Sequence, residues 1–327
     1  MQTRDIVVLG SSLGGVEALA SLAGSLPASF PAALLVVQHT AEQSPGLLAD
    51  ILDRRGALDA VQAEDGMPVE RGRILVAPPG RHLLLTGNGV RVAYGPRENR
   101  VRPAVDPLFR SAAVHYRSRV VGVILTGTQG DGAAGLAAVH RCGGVAVVQD
   151  PADASAPEMP SSALAAVPDA RTATLADLPG VLTALVGEPA PEPPPVPEWL
   201  RIEAELSERA MTDQDWERLP GRATDFTCPQ CNGSLRQVED DGLPRFRCRV
   251  GHAYSADALV GAKDASLEDA LWLALQTLQE RGQMLDRLAR EEQVGGRSRS
   301  AAGYAERARE TQTHVERLRH LIQKLSP

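Results

Sequence analysis

The sequence predicts an α/β protein with a doubly wound, mainly parallel sheet, followed by a small cysteine-rich module and a C-terminal α-helical hairpin. Three observations carry this. First, continuous apolar runs at 6–9, 33–37, 74–77, 120–125 and 145–148 alternate with amphipathic stretches such as 44–54 and 106–116. Apolar runs without polar alternation suit strands covered on both faces. Second, 187–197 holds six prolines, a composition that favours an extended spacer over sheet or helix. Third, leucines beyond residue 266 recur every three or four positions, the period of a helix stripe.

Taken in order, the run 6–9 enters the turn Gly10-Ser11-Ser12-Leu13-Gly14-Gly15, and a helix leaves through Val16-Glu17-Ala18-Leu19. The stretch 57–95 differs from its surroundings. Its short strands and its turns at Gly66, Pro78-Pro79-Gly80 and Gly87-Asn88-Gly89 suggest an inserted antiparallel hairpin region. Strands at 120–125 and 145–148 complete the first domain, 1–186. A proline-rich linker spans 187–200. A short helix near 202–211 and the cysteine module occupy 201–262, and the helical hairpin fills 263–327. Its first helix is expected to start at Ser266, with Asp269 as a capping partner. Leu267, Leu271, Ala274, Leu278, Leu285 and Leu288 form its stripe. Tyr304, Ala308, Thr311, Val315, Leu318, Ile322 and Leu325 form the second, after a break at Gly295-Gly296.

The 327 residues are 43% hydrophobic, enough for a substantial core and more than one domain. The net charge of −7 argues against nucleic-acid binding driven by bulk charge. No apolar run approaches the roughly 18–20 residues of a membrane span, and the N-terminus lacks a secretory signal pattern. A cytoplasmic location and no membrane insertion are expected.

Ser12 is the candidate nucleophile. Gly10-x-Ser12-x-Gly14 after a strand fits a nucleophile elbow, which presents a side chain at a helix N-terminus. A phosphate-cradling turn and a purely structural turn also fit the pattern. Against the dinucleotide reading, Ser12 replaces the middle glycine, and the second strand ends Val36-Val37-Gln38-His39 without an acidic residue. His39 closes that strand, and the C-terminal ends of parallel strands open on one rim, so it is the candidate base. The run 120–125 enters Thr126-Gly127-Thr128-Gln129-Gly130-Asp131-Gly132, which brings Asp131 to the same rim as the orienting acid. A helix-capping role for Asp131 also fits. Asp106, read as the N-cap of the next helix, and Asp150, at the turn before Pro151, are rival acids.

These blocks together are specific. The first domain resembles the catalytic domain of the CheB-type protein-glutamate methylesterases. The resemblance rests on 9–15, Val37-Gln38-His39, Val76-Ala77-Pro78-Pro79 with His82, 102–113, 125–133 and Met159-Pro160. It implies a parallel α/β fold, a Ser12–His39–Asp131 triad with no catalytic cofactor, and hydrolysis of glutamate methyl esters on the coiled coils of chemoreceptor-type partners, with glutamine deamidation as a companion activity. Backbone N–H groups near Leu13 and Thr128 are the candidate oxyanion donors. Two other readings stay open: a hydrolase of the same fold acting on a non-receptor ester or amide, and a non-catalytic signalling scaffold.

Thr40 and Thr128 stand where the family commonly has methionine, and Gly130 where asparagine is common. Counted from Met1, the chain begins at the first strand, so a control other than a built-in receiver domain, or none, is expected. The C-terminal third lies outside the resemblance. There, Cys228-x2-Cys231-x16-Cys248-x3-His252 matches a closed tetrahedral zinc site in a ribbon built from short strands at 234–238 and 245–247. A module this small has too little core to fold unaided. The neighbouring Glu239, Asp240 and Asp241 discourage nucleic-acid binding.

Overall fold

Strand β1 (Ile6–Ser11) sits near the centre of the main sheet because its side chains are apolar on both faces. Ile6 and Val8 enter one core; Val7 and Leu9 enter the other. The computed structural model describes residues 2–238 and 243–325, the side chain of Leu325 excepted. The acidic positions Glu239, Asp240 and Asp241 therefore lie outside the described residues.

β1 pairs in parallel with β2 (Ala33–Gln38) on one side and β7 (Val120–Ile124) on the other. Outward from β2 come β4 (Arg73–Val76) and then β3 (Asp59–Gln62). Outward from β7 come β8 (Val145–Gln149) and β9 (Arg171–Ala173), giving seven parallel strands ordered β3-β4-β2-β1-β7-β8-β9. The chain winds in opposite directions from β1, so the crevice beyond β1 and β7 is the switch point where α/β sites form. Helices α1 (Gly15–Ser25), α2 (Leu48–Arg55) and α6 (Leu178–Leu185) cover one face. Helices α3 (Val105–Tyr116), α4 (Ala133–Arg141) and α5 (Glu158–Ala166) cover the other, with the antiparallel hairpin β5 (His82–Thr86) and β6 (Gly89–Ala93). The stretch 57–95 is thus divided: its first two strands extend the parallel sheet, and only β5–β6 forms the expected hairpin.

The proline-rich segment lies along the N-terminal strand's approach. Gly187 and Ala190 donate backbone bonds to Arg4 and Gln2, and Ser118 Oγ donates to the Pro191 carbonyl. Helices α7 (Glu198–Glu205) and α8 (Asp213–Arg218) follow. A four-stranded antiparallel sheet comes next: β10 (Gly221–Thr227), β11 (Ser234–Val238), β12 (Arg245–Cys248) and β13 (Ala253–Ser255). It packs through a buried ionic cluster. Glu98 receives Arg110 at 2.6 Å and Arg247 at 3.0 Å, and Glu203 on α7 receives Arg245 at 2.6 Å and Arg247 at 2.8 Å. Sequence patterning treats such charges as surface residues; here all five side chains are buried.

The chain divides into two compact units, Met1–Leu259 and Val260–Pro327. Helix α9 (Ala256–Val294) begins ten residues before the expected start, so Ser266 is interior and bonds back to the Ala262 carbonyl instead of capping. Helix α10 (Ser298–Leu325) returns antiparallel, with Leu275, Val315 and Ile322 buried between them. Leu267 and Ala274 of the expected stripe are exposed, because the buried seam runs through Leu275 and Leu285. Among the described residues, no helix is long and apolar enough to cross a membrane.

Candidate active site

Ser12 stands one residue beyond β1 at the head of α1. Its N–H donates to the Thr126 carbonyl at 3.0 Å, and its carbonyl accepts from Gln38 Nε2 at 2.7 Å. Gly14 holds φ +76 at the helix N-cap, a left-handed conformation that glycine adopts without strain. The register pairs Ser11 with Gln38, so Ser12 and His39 follow adjacent strand ends, about 4.8 Å apart in a parallel sheet. Among the described residues, Ser12 Oγ makes no hydrogen bond to His39. Catalytic bonds of this kind often tighten only when substrate binds.

His39 Nε2 lies 2.7 Å from Asp131 Oδ2. A carboxylate only accepts, so Nε2 carries the proton and Nδ1 is the ring's remaining basic atom. Asp131 is buried and takes three further donors: Asn99 Nδ2 at 2.8 Å, the Val105 N–H at 2.6 Å and the Asp106 N–H at 3.4 Å. Burial works against its charge, but the bond and charge of His39 and these N–H groups hold it below the ordinary carboxylate range.

The rival acids have other work. Asp106 is not the cap of α3; the N-cap is Ala104, with no side-chain bond. Its carboxylate instead accepts from the Gly132 N–H at 3.1 Å and the Gly135 N–H at 2.6 Å, capping α4, the task considered for Asp131. Burial and the charge of Asp131 push Asp106 up to about 6. Asp150 closes a local turn through the Ala152 N–H at 2.9 Å. His82 is buried off the rim, donating from Nε2 to the Pro96 carbonyl at 2.9 Å and accepting at Nδ1 from the Ala104 N–H.

Three side chains hydrogen-bonded around the candidate residues escape sequence reasoning. Gln38 ties Ser11 to Ser12 through Oε1 and Nε2. Gln149 accepts the Thr126 N–H at 2.9 Å. Asn99 reaches Asp131 across 32 positions. A polar residue ending an otherwise apolar strand was the only available signal, and it applies to Gln38 and Gln149. The rim opens on a groove of about 220 Å³ beside His39, lined in part by Val16, Thr40, Leu47, Ile51 and Pro79.

In the second sheet, the candidate ligand atoms of Cys228, Cys231, Cys248 and His252 all lie within 4.8 Å of one another. Cys231 Sγ is 3.6 Å from Cys248 Sγ, and His252 Nδ1 is 3.7 Å from Cys228 Sγ and 3.6 Å from Cys248 Sγ. A tetrahedral ion with metal–sulfur bonds of about 2.3 Å spaces its sulfurs about 3.8 Å apart, so the donor set fits one ion.

A doubly wound parallel sheet that brings a serine, a histidine and a buried aspartate to neighbouring strand ends defines an α/β protein with a candidate site on its C-terminal rim. Residues 7–182 match the CheB methylesterase family, and the chain belongs to it. The chain is 45% identical over 148 residues to protein-glutamate methylesterase/protein-glutamine glutaminase 2 of Anaeromyxobacter dehalogenans, covering 45% of this chain and 43% of that protein. It is 41% identical over 167 residues to the like-named protein of Rhodospirillum rubrum, covering 50% and 46%. The crystal structure of the Thermotoga maritima CheB methylesterase catalytic domain superposes with a TM-score of 0.55 at 34% identity, over 57% of this chain and all of that one. The chain thus spans a little under half the length of these curated relatives.

Proposed function

We propose that this protein hydrolyses glutamate methyl esters on chemoreceptor-type signalling proteins in the cytoplasm, with glutamine deamidation as a second activity of the same site. The observation that carries the reading is the His39–Asp131 bond at the strand end next to Ser12, in a member of the CheB methylesterase family. Ser12 Oγ attacks the ester carbonyl while His39 Nδ1 takes its proton, and Asp131 steadies the imidazolium through Nε2–H. The N–H groups of Leu13 and Thr128 receive the oxyanion; among the described residues neither donates elsewhere. Collapse expels methanol, which takes the proton back from His39. Water, deprotonated by His39, then releases the glutamate carboxylate and frees Ser12. For glutamine the leaving group is ammonia.

The exposed apolar side chains of Leu13, Leu47 and Ile51 give the rim a surface suited to a helical protein segment. Ser12→Ala is expected to lower methanol release from methylated receptor by at least about a hundredfold. Equal activity in that variant overturns the assignment. The Cys3His cluster is assigned a structural zinc ion. Four protein ligands leave no position open for a catalytic water.

A further inference from the structure

Asn99 joins the candidate catalytic acid to the cysteine module. It lies in the tight turn Glu98–Val101, with φ 49 at Asn99 and φ 72 at Arg100. Asparagine is among the few side chains that tolerate the left-handed region. Its backbone N–H donates to the Ala253 carbonyl at 2.8 Å, and its Oδ1 accepts the Ser255 N–H at 2.9 Å, both on β13. Its Nδ2 donates one hydrogen to Asp131 Oδ1 at 2.8 Å and one to Asp106 Oδ2 at 3.0 Å. The amide orientation follows from these partners, since the reverse would set N–H against N–H and oxygen against carboxylate.

The amide therefore performs two tasks at once. Between two buried carboxylates it supplies a donor to each, relieving a like-charge pair that burial makes costly. On its other side it is gripped by the strand that leaves the candidate metal ligand His252. Glu98, its neighbour, is fixed by Arg110 and Arg247 within the same contact.

We propose that Asn99 is a positioning residue for Asp131, and that β13 of the Cys3His module holds it in place. The module is then a support of the active site and not merely an appended domain. The proposal rests on the hydrolase reading of Ser12, His39 and Asp131.

The test uses the full-length protein, p-nitrophenyl acetate as a small ester and a fluorophosphonate probe for Ser12. Ser12→Ala is the control; if it keeps the ester activity and the probe still labels, the hydrolase reading falls. With that control inactive, Asn99→Gly and Asn99→Asp are expected to lower kcat about tenfold to a hundredfold, with KM within about twofold of wild type. Glycine takes the turn's backbone without strain, and aspartate keeps the acceptor facing Ser255 while losing the donors. Both should shift or broaden the downfield proton resonance of the His39–Asp131 bond, which a structural role elsewhere would not move. Ser255→Pro deletes the N–H that reaches Asn99. It is expected to lower kcat by a similar factor and to add little in combination with Asn99→Gly. Undiminished kcat in both Asn99 variants, or losses that multiply independently in the double variant, overturn the proposal. Should the Asn99 variants melt early, Ser255→Pro decides through the same kcat and resonance readouts.

Discussion

Gly127 has no room for a side chain. A Cβ there would sit 2.2 Å from Met159 Sδ and 2.7 Å from the Ser12 Cβ. Gly127→Ala should therefore displace Ser12 more than it unfolds the sheet. The expected result is a loss of about a hundredfold in fluorophosphonate labelling, from misplacement of the reacting atom by about 1 Å, with a melting temperature within a few degrees of wild type. Unchanged labelling contradicts the close packing of Gly127 on Ser12. At this scale, much of the candidate site was legible. Ser12 and His39 directly end apolar strands, and Asp131 follows one through a glycine-rich turn, so a parallel sheet brings all three to one rim. Asn99 was not legible, because its role depends on a left-handed turn and on partners more than 150 positions away.

The contact between α3, α7 and β12 is ionic and buried. Three arginines, 110, 245 and 247, surround Glu98 and Glu203. Removing one partner of such a cluster leaves charges buried without compensation. Glu98→Gln is expected to destabilise the first unit by about 3–5 kcal/mol, measured by urea unfolding. The pH dependence follows with opposite signs for two kinds of carboxyl. Despite burial, the arginines hold Glu98 well below its ordinary value of 4.5 and Glu203 at about 2. The unfolded chain thus binds more protons, and this contribution, complete above 4.5, is lost as pH falls below it toward 2. Asp106 is raised from 3.8 to about 6, so the folded chain binds more protons between those values and gains stability as pH falls through 6. Stability should hold or rise slightly from pH 7 to 5 and drop below about 4.5, and Asp106→Asn should remove the rise. A melting temperature that falls steadily from pH 7 contradicts these signs. The strands of the main sheet were readable from their apolar runs. This contact was not, since single-sequence patterning places arginine and glutamate in solvent.

Across the whole molecule, the two compact units have different sources of order. The first carries two large apolar cores and the small sheet of the cysteine module. The second is a helical pair whose buried apolar seam is short. About one zinc ion per chain is expected by metal analysis, lost in Cys228→Ser together with the near-ultraviolet signal of Tyr254, whose hydroxyl lies 3.4 Å from Cys228 Sγ. A metal-free wild type with that signal intact would falsify the zinc assignment. The Cys3His cluster was legible from the cysteine spacing. The early start of α9 was missed because Ser266, a good capping residue by type, is satisfied inside the helix by the Ala262 carbonyl.

The orientation of the His39 ring has one more consequence. It is moored at Nε2, the nitrogen farther from its own backbone, and among the described residues the nitrogen beside Cβ has no partner. In the mechanism proposed above, the ring is therefore steadied at its tip and takes the serine's proton at its root. A reagent that alkylates the working nitrogen would leave its mark on Nδ1, while a mark on Nε2 would first require the mooring to part. The position of a single carbon on one imidazole would thus report which way round this site was built.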